Sequence, residues 1–270
     1  MSIKLSVIIP CYNMGNYIQV ALDSVLQYEK QEDIEIIIVN DGSDDNGYTK
    51  SVLDALDYPN LNVIHQNNAG LSNARNIGIA SAKADYVLLL DADNKIKPDY
   101  IDEGLKALEL NPNVAFLYGD LEKFGLKNFT SEVGDFDISK ILVKNYIDAC
   151  VVLRKSAWQS VGGYDEDMRK GYEDWDFTLR LFFKGWNFTY INKVLFEYFV
   201  RENSMLTNSN KMRDALVHYI FNKPELQQAQ KLRQIILERD HLNKELKSIR
   251  NRKLTKQALK LEALLKRYFK

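Results

Sequence analysis

Short apolar runs alternate with segments of helical period through the first 120 residues. Lys4 to Pro10 is a β-branched run closed by proline, and Tyr17 to Tyr28 then places Ile18, Ala21, Leu22, Val25 and Leu26 at helix spacing. Ile34 to Asn40 predicts a second strand, followed by the turn cluster Asp41-Gly-Ser-Asp-Asp45. A weaker strand at Asn62 to His65, a helix at Leu71 to Ala82 and a strand at Tyr86 to Asp91 continue the alternation. Pro98 opens a helix over Asp99 to Leu110, and Val114 to Gly119 is again strand-like.

The runs are apolar at consecutive positions, so they predict strands covered on both faces, and helical connections between them predict a mostly parallel sheet. Ligands of such sheets bind beyond the carboxyl ends of the strands. Three polar clusters fall there: Cys11-Tyr-Asn13, Asn40-Asp41 and Asp91-Ala-Asp93.

From 121 to 146 the pattern has no period, which predicts loops with one short helix around Ile138 to Lys144. A strand at Val151 to Leu153, a Gly162-Gly-Tyr turn, a helix over Glu173 to Lys184 and two short strands between Asn187 and Tyr198 follow. From Lys211 the pattern is wholly helical. Pro224 opens a helix to about Arg250, with a stripe of Leu232, Ile235, Ile236, Leu242, Leu246 and Ile249. Thr255 caps a last one carrying Leu259, Leu261, Leu264, Leu265 and Phe269. The expected organisation is an α/β body over residues 1–210, split into halves 1–120 and 121–210, and a basic helical extension over 211–270.

Composition narrows the classes. Of 270 residues 46% are apolar and 27% charged, a globular balance, and no apolar run reaches bilayer length. Two cysteines, Cys11 and Cys150, exclude a disulfide scaffold or cysteine zinc site, and three scattered histidines disfavour a histidine-rich metal site. The first residues lack a secretory signal's pattern, so a cytoplasmic chain is expected. The net charge of −1 conceals an asymmetry. Residues 211–270 hold 16 Lys/Arg against 6 Asp/Glu, whereas residues 1–210 hold 20 against 31. The basic extension is open to packing on the body, self-association or contact with the inner membrane surface. Nucleic acid is disfavoured because the basic residues lack an aromatic reading surface.

Candidate chemistry lies at the sheet's edge. Asp91 and Asp93, converging where strand turns to loop, suit a divalent cation, but an isolated pair of this kind is more often a cap or turn. Asp41 at a buried strand end can accept from a base N–H or a ribose hydroxyl, and equally suits its Asn-Asp-Gly-Ser turn. Arg75 can meet phosphate oxygens or lie on a helix surface. Glu173 and Asp174 open a helix, where the macrodipole favours acids, but either is placed to be a general base, with Trp175 an apolar platform for a sugar ring. No Gly-x-Gly-x-x-Gly or Walker loop occurs, which disfavours dinucleotide and ATP enzymes.

The order and spacing of six motifs carry more weight than any one. Val7 to Asn13, Val39-Asn-Asp-Gly-Ser43, Gly70-Leu-Ser-Asn-Ala-Arg-Asn76, Leu89-Leu-Asp-Ala-Asp93, Gly162-Gly-Tyr-Asp165 and Glu173-Asp-Trp-Asp176 together resemble the family 2 glycosyltransferases over about residues 3 to 205. The resemblance implies a GT-A fold, Rossmann-like with helices on both sheet faces, and inverting transfer from a UDP-sugar to a glycan hydroxyl. It implies a nucleotide pocket of Pro10, Tyr12, Asn13 and Asp41, with Arg75 and Asn76 near ribose and diphosphate. Asp91 would face the ribose, Asp93 would hold Mn2+ or Mg2+, Asp174 would be the catalytic base and Glu173 would contact donor or acceptor. One position departs: Arg201 stands where many members carry a metal-binding histidine. An arginine there can neutralise diphosphate directly, or mark a fold kept as a non-catalytic scaffold acting through its helical tail.

Overall fold

The computed structural model describes residues 3–202, 205–251 and 253–268. Five of the first six elements follow the predicted alternation, β1 (Leu5–Cys11), α1 (Ile18–Leu26), β2 (Ile34–Asp41), β3 (Leu61–Gln66) and α3 (Leu71–Ser81), and α2 (Tyr48–Asp54) adds a helix where only a turn cluster is expected. Then come β4 (Tyr86–Leu89), β5 (Lys95–Ile96), α4 (Tyr100–Leu110), β6 (Val114–Gly125), β7 (Phe129–Ser131), α5 (Ile138–Ile141), β8 (Val152–Arg154), α6 (Lys155–Ser160), α7 (Glu173–Phe183) and β9 (Asn187–Val200). The chain continues as α8 (Met205–Lys211), α9 (Arg213–Phe221), α10 (Gln227–Asn251) and α11 (Lys253–Tyr268).

One sheet runs in the order β3-β2-β1-β4-β8-β6-β9-β5, with β7 against β6. Strands β1 to β4 pair in parallel, so the carboxyl ends of all four meet at one edge. Strand β8 then pairs antiparallel with both β4 and β6, which makes the sheet mixed. The two strands expected between residues 187 and 198 are one, β9. It runs parallel to β6 through three register shifts, which absorb its curvature without breaking it.

Alternate residues of each central strand enter two cores. Along β1, Ile8 faces a layer with Ala74, Ile79, Trp175 and Phe177, while Leu5, Val7 and Ile9 face Ile18, Leu22, Tyr100 and Ile101. Helices therefore cover both faces, as the doubly apolar runs required. Gly78 lets α3 lie close on β1, since a Cβ there would fall 2.3 Å from Ile8 Cγ2. Gly78→Ala is expected to cost about 1–3 kcal/mol by overpacking, read as a lower urea midpoint with an unchanged slope.

A boundary at residue 210 is not where packing ends. Leu216, Val217, Ile220, Phe221, Leu226 and Ala229 are buried in the α7 core, and Phe221 meets Trp175 edge-on. Lys223 pairs with Asp165 and Asp176 at 2.5 and 2.6 Å. The helical period hid this, because only tertiary contact decides which amphipathic turns are covered. Beyond Ala229 the predicted stripe is largely exposed, with Ile235, Leu242 and Leu246 each more than half accessible. Phe269 lies outside the described residues. Among the described residues no helix is long and apolar enough to cross a membrane.

Candidate functional site

The carboxyl ends of β1 and β2 are tied to each other by their loops. Asn13, in the left-handed region at φ 56°, donates from Nδ2 to Asp44 at 2.6 Å and accepts the Asp44 amide at 2.9 Å. Tyr12 donates its hydroxyl to the same carboxylate, yet its ring stays exposed. Pro10 is buried within β1, paired with Val39. Asp41 is buried and accepts from Gln66 Nε2 and the Ala69 and Gly70 amides, each at 2.8 Å. Gly42 at φ +62° is required here, since a Cβ would lie 2.4 Å from the Asn68 nitrogen. The two loops are thus a rigid floor, with the Tyr12 ring as its exposed apolar face.

Arg75 is the centre of the site. It is 1% exposed, and its two terminal nitrogens donate to Glu173 at 2.5 Å and Asp91 at 2.9 Å. The guanidinium also lies 5.5 Å from the centroid of Tyr164, which stacks on Phe177. Arg75, expected near ribose and diphosphate, is held by two carboxylates of its own chain. Glu173, expected to contact donor or acceptor, is buried as its partner. Asn76 is likewise consumed, donating to Tyr164 O and Glu166 while accepting from Trp158 Nε1 and the Tyr164 amide. It clamps the Gly162–Tyr164 turn against α3.

Asp174 stands beside this ion-paired core. Gly171 and Tyr172, both at positive φ, turn the chain sharply into α7, so that Glu173 and Asp174 occupy its first turn. For Tyr172 that conformation is uncommon, and its burial together with a hydroxyl bond to Asn210 at 2.7 Å holds it there. Asp174 accepts from Asn145 Nδ2 at 2.9 Å and from its neighbour's amide at 2.8 Å. Burial first, then the Glu173 charge, push its carboxyl up to about 7 despite the helix terminus and Arg75. Trp175 is 1% exposed and donates its indole N–H to Ile141 O at 2.6 Å. The sugar-platform expectation for it is corrected: the ring locks α7 to α5, because the next residue in a helix turns away from the cleft.

Asp148 was not legible beforehand. It sits in an aperiodic segment just before β8, and burial, then the Asp91 charge, push its carboxyl up to about 6. Asn145 carries no motif either. Their signal is spatial: both belong to the segment that folds back over the start of α7.

Asp93 carries a cation from its own chain. Its Oδ2 accepts from Arg201 Nε at 2.8 Å, in a pair whose side chains are 15% and 29% exposed. Burial, then Asp91, hold the Asp93 carboxyl above its usual range, against the pull of Arg201. Among the described residues no three His, Cys, Asp or Glu side chains converge on a metal position. A guanidinium is always protonated and cannot ligate. The donors present do not fit the divalent ion expected at Asp93 without Arg201 being displaced.

A four-stranded parallel edge, a loop floor with an exposed aromatic ring, and a row of carboxylates lie together where α/β sheets of this kind bind their ligands. The chain belongs to glycosyl transferase family 2, whose model matches residues 6–160; the glycosyl transferase family group 2 model matches residues 86–261. It is 29% identical over 185 residues to an uncharacterized glycosyltransferase of Haemophilus influenzae, covering 66% of this chain and 61% of that one. It is 28% identical over 198 residues to the chondroitin synthase of Pasteurella multocida, covering 71% of this chain and 20% of that protein. The chain thus spans less than two thirds of either relative's length. In fold it is similar to S. aureus TarS 1-349 in complex with UDP-GlcNAc, with TM-score 0.67 and 18% identity over 87% of this chain and 72% of that one.

Proposed function

We propose that this protein is an inverting glycosyltransferase that moves a sugar from a UDP-sugar to a glycan hydroxyl, with Asp174 as general base. The observation that carries the proposal is the placement of Asp174, a partly accessible carboxylate raised to about 7 and oriented by Asn145, next to Glu173, whose Arg75 partner also holds Asp91. A base is most effective when its pKa lies near the working pH. The fold of TarS, described in complex with UDP and with UDP-GlcNAc, supports the donor class.

In this reading the uridine lies on the floor of Pro10, Tyr12, Asn13 and Asp41. The acceptor oxygen forms its bond to the anomeric carbon while its proton passes to an Asp174 oxygen. The bond from that carbon to the diphosphate oxygen breaks on the opposite face, and UDP departs with the electron pair. One displacement inverts the configuration. Arg75 keeps Asp91 facing the donor and anchors Glu173 next to the base, where the Glu173 charge raises the base's proton affinity. The acceptor class is a polysaccharide, lipid-linked or protein-linked glycan, and the proposed setting is cytoplasmic.

Calorimetric titration with UDP, GDP and ADP, paired with UDP release from a panel of UDP-sugars, tests the proposal. UDP is expected to bind in preference to the purine diphosphates, and one UDP-sugar is expected to release UDP. Folded protein that binds UDP no better than ADP would sink the donor assignment.

A further inference from the structure

The end of β9 is fastened to the Asp91–Ile96 segment rung by rung. Ile96 and Lys95 pair antiparallel with Phe196 and Glu197. Glu197 also holds both Lys95 and Lys97 in ion pairs. One step on, the Phe199 amide donates to Asn94 Oδ1 at 2.9 Å, and Asn94 is buried. Arg201 completes the series on Asp93 at 2.8 Å. Phe199 packs against Phe124 and Tyr17, with ring centroids 5.0 and 5.5 Å apart, and the Arg201 guanidinium lies 5.9 Å from the Tyr17 ring. Arg201 is therefore a built feature of the cleft and no incidental surface arginine.

We propose that Arg201 is the resident cation of the donor site, taking at Asp93 the place of a divalent ion and receiving the diphosphate of the nucleotide directly. The inference rests on the UDP-donor reading above. Its physical content is charge and shape. Arg75 is sealed from solvent and neutralised by Asp91 and Glu173, whereas the Arg201 side chain is 29% exposed and pairs with Asp93, so Arg201 is the arginine of the site that solvent reaches. A guanidinium carries a fixed charge and a planar fork of N–H donors that matches phosphate oxygens in bidentate fashion. Nε is the donor toward Asp93, which orients the plane and leaves the terminal nitrogens at the opposite edge of the group. Asp93 then acts as the positioning residue for a cation, a role it would otherwise fill for a metal.

Divalent-metal dependence of UDP binding distinguishes the two arrangements, measured on the full chain by calorimetry after chelator treatment and again with Mn2+. The parent is expected to bind UDP with chelator present at an affinity within about threefold of that with Mn2+. Arg201→Ala is expected to weaken chelator-treated binding about 10- to 100-fold, the loss of one charge-assisted contact. Arg201→His is expected to regain affinity only when Mn2+ is added, with loss of the free Mn2+ signal in electron paramagnetic resonance. UDP binding by the parent that requires Mn2+, with the same loss of the free-ion signal, would overturn the inference and leave the UDP-donor reading intact. Absence of UDP binding by folded parent protein under both conditions would overturn both. The parent measurement needs no variant, so a poorly folding substitution does not blunt the test.

Discussion

Asp174→Asn is expected to lower the rate of sugar transfer by about 10²- to 10⁴-fold while leaving UDP affinity nearly unchanged. The amide keeps the size of the carboxylate and one of the two acceptor oxygens that Asn145 and the Trp175 amide use, but it cannot take the acceptor's proton. Partial burial first, then the charges of Glu173 and Asp148, push the Asp174 carboxyl up to about 7, against the lowering by Arg75. Below that pH the base is protonated, so kcat/KM should fall about tenfold per pH unit, and above it should level. Stability carries the opposite sign. A raised folded-state pKa favours the fold at low pH, and this contribution disappears as pH rises through about 7. At pH 8 the Asn variant should therefore melt no lower than the parent. Transfer that survives in Asp174→Asn, or a profile without an acid limb near 7, would remove Asp174 from the role of base.

Arg75→Ala is expected to be the most destabilising single change in the site. It strips a buried Glu173 of its partner and frees Asp91, and breaking a buried ion pair on one side costs about 3–5 kcal/mol. At about 2–4 °C per kcal/mol for a chain of this size, melting should fall by roughly 6–20 °C. The Tyr164 ring and the Asn76 clamp stand beside the gap, so the Gly162–Tyr164 turn should also lose amide protection. Adding Glu173→Gln removes the stranded charge, and the double variant should recover a substantial part of the loss. A melting shift below about 2 °C in Arg75→Ala, or strict additivity in the double variant, would show that the arginine is not the electrostatic centre described above.

The family model, which matches residues 6–160, agrees with the reading of strands and motifs. That reading was strongest where local pattern suffices. Consecutive apolar residues in β1 and β2 announce strands covered on both faces, and both cores are found there. It was weakest where a short element exists only because another strand lies beside it. The two residues of β5 have no pattern of their own and are strand because β9 supplies their partners. Asp148 and Asn145 are similar cases, since an aperiodic segment gives no sign of which side chains will fold over α7.

Roles shifted more than positions did. Arg75, Asn76, Glu173 and Trp175 all stand where the motifs put them, but each is bonded to partners elsewhere in the chain, from Asp91 to Ile141 and Tyr164. A residue type and its spacing determine that a cation, an amide or an indole reaches the cleft's wall. They do not determine whether it points at ligand or at protein, because that depends on groups that only tertiary packing brings near.

By itself the sequence determined the alternating α/β body, the edge at which the polar clusters gather, the identity of the carboxylates and the presence of an arginine at 201. These follow from period, turn chemistry and residue type, which are local. The tertiary structure decided that Arg75 is neutralised from within, that residues 213–229 belong to the core, and that Arg201 rests on Asp93. Each of those is a contact between segments tens of residues apart, and whether such a pair forms depends on burial and on the competing partners each charge can reach.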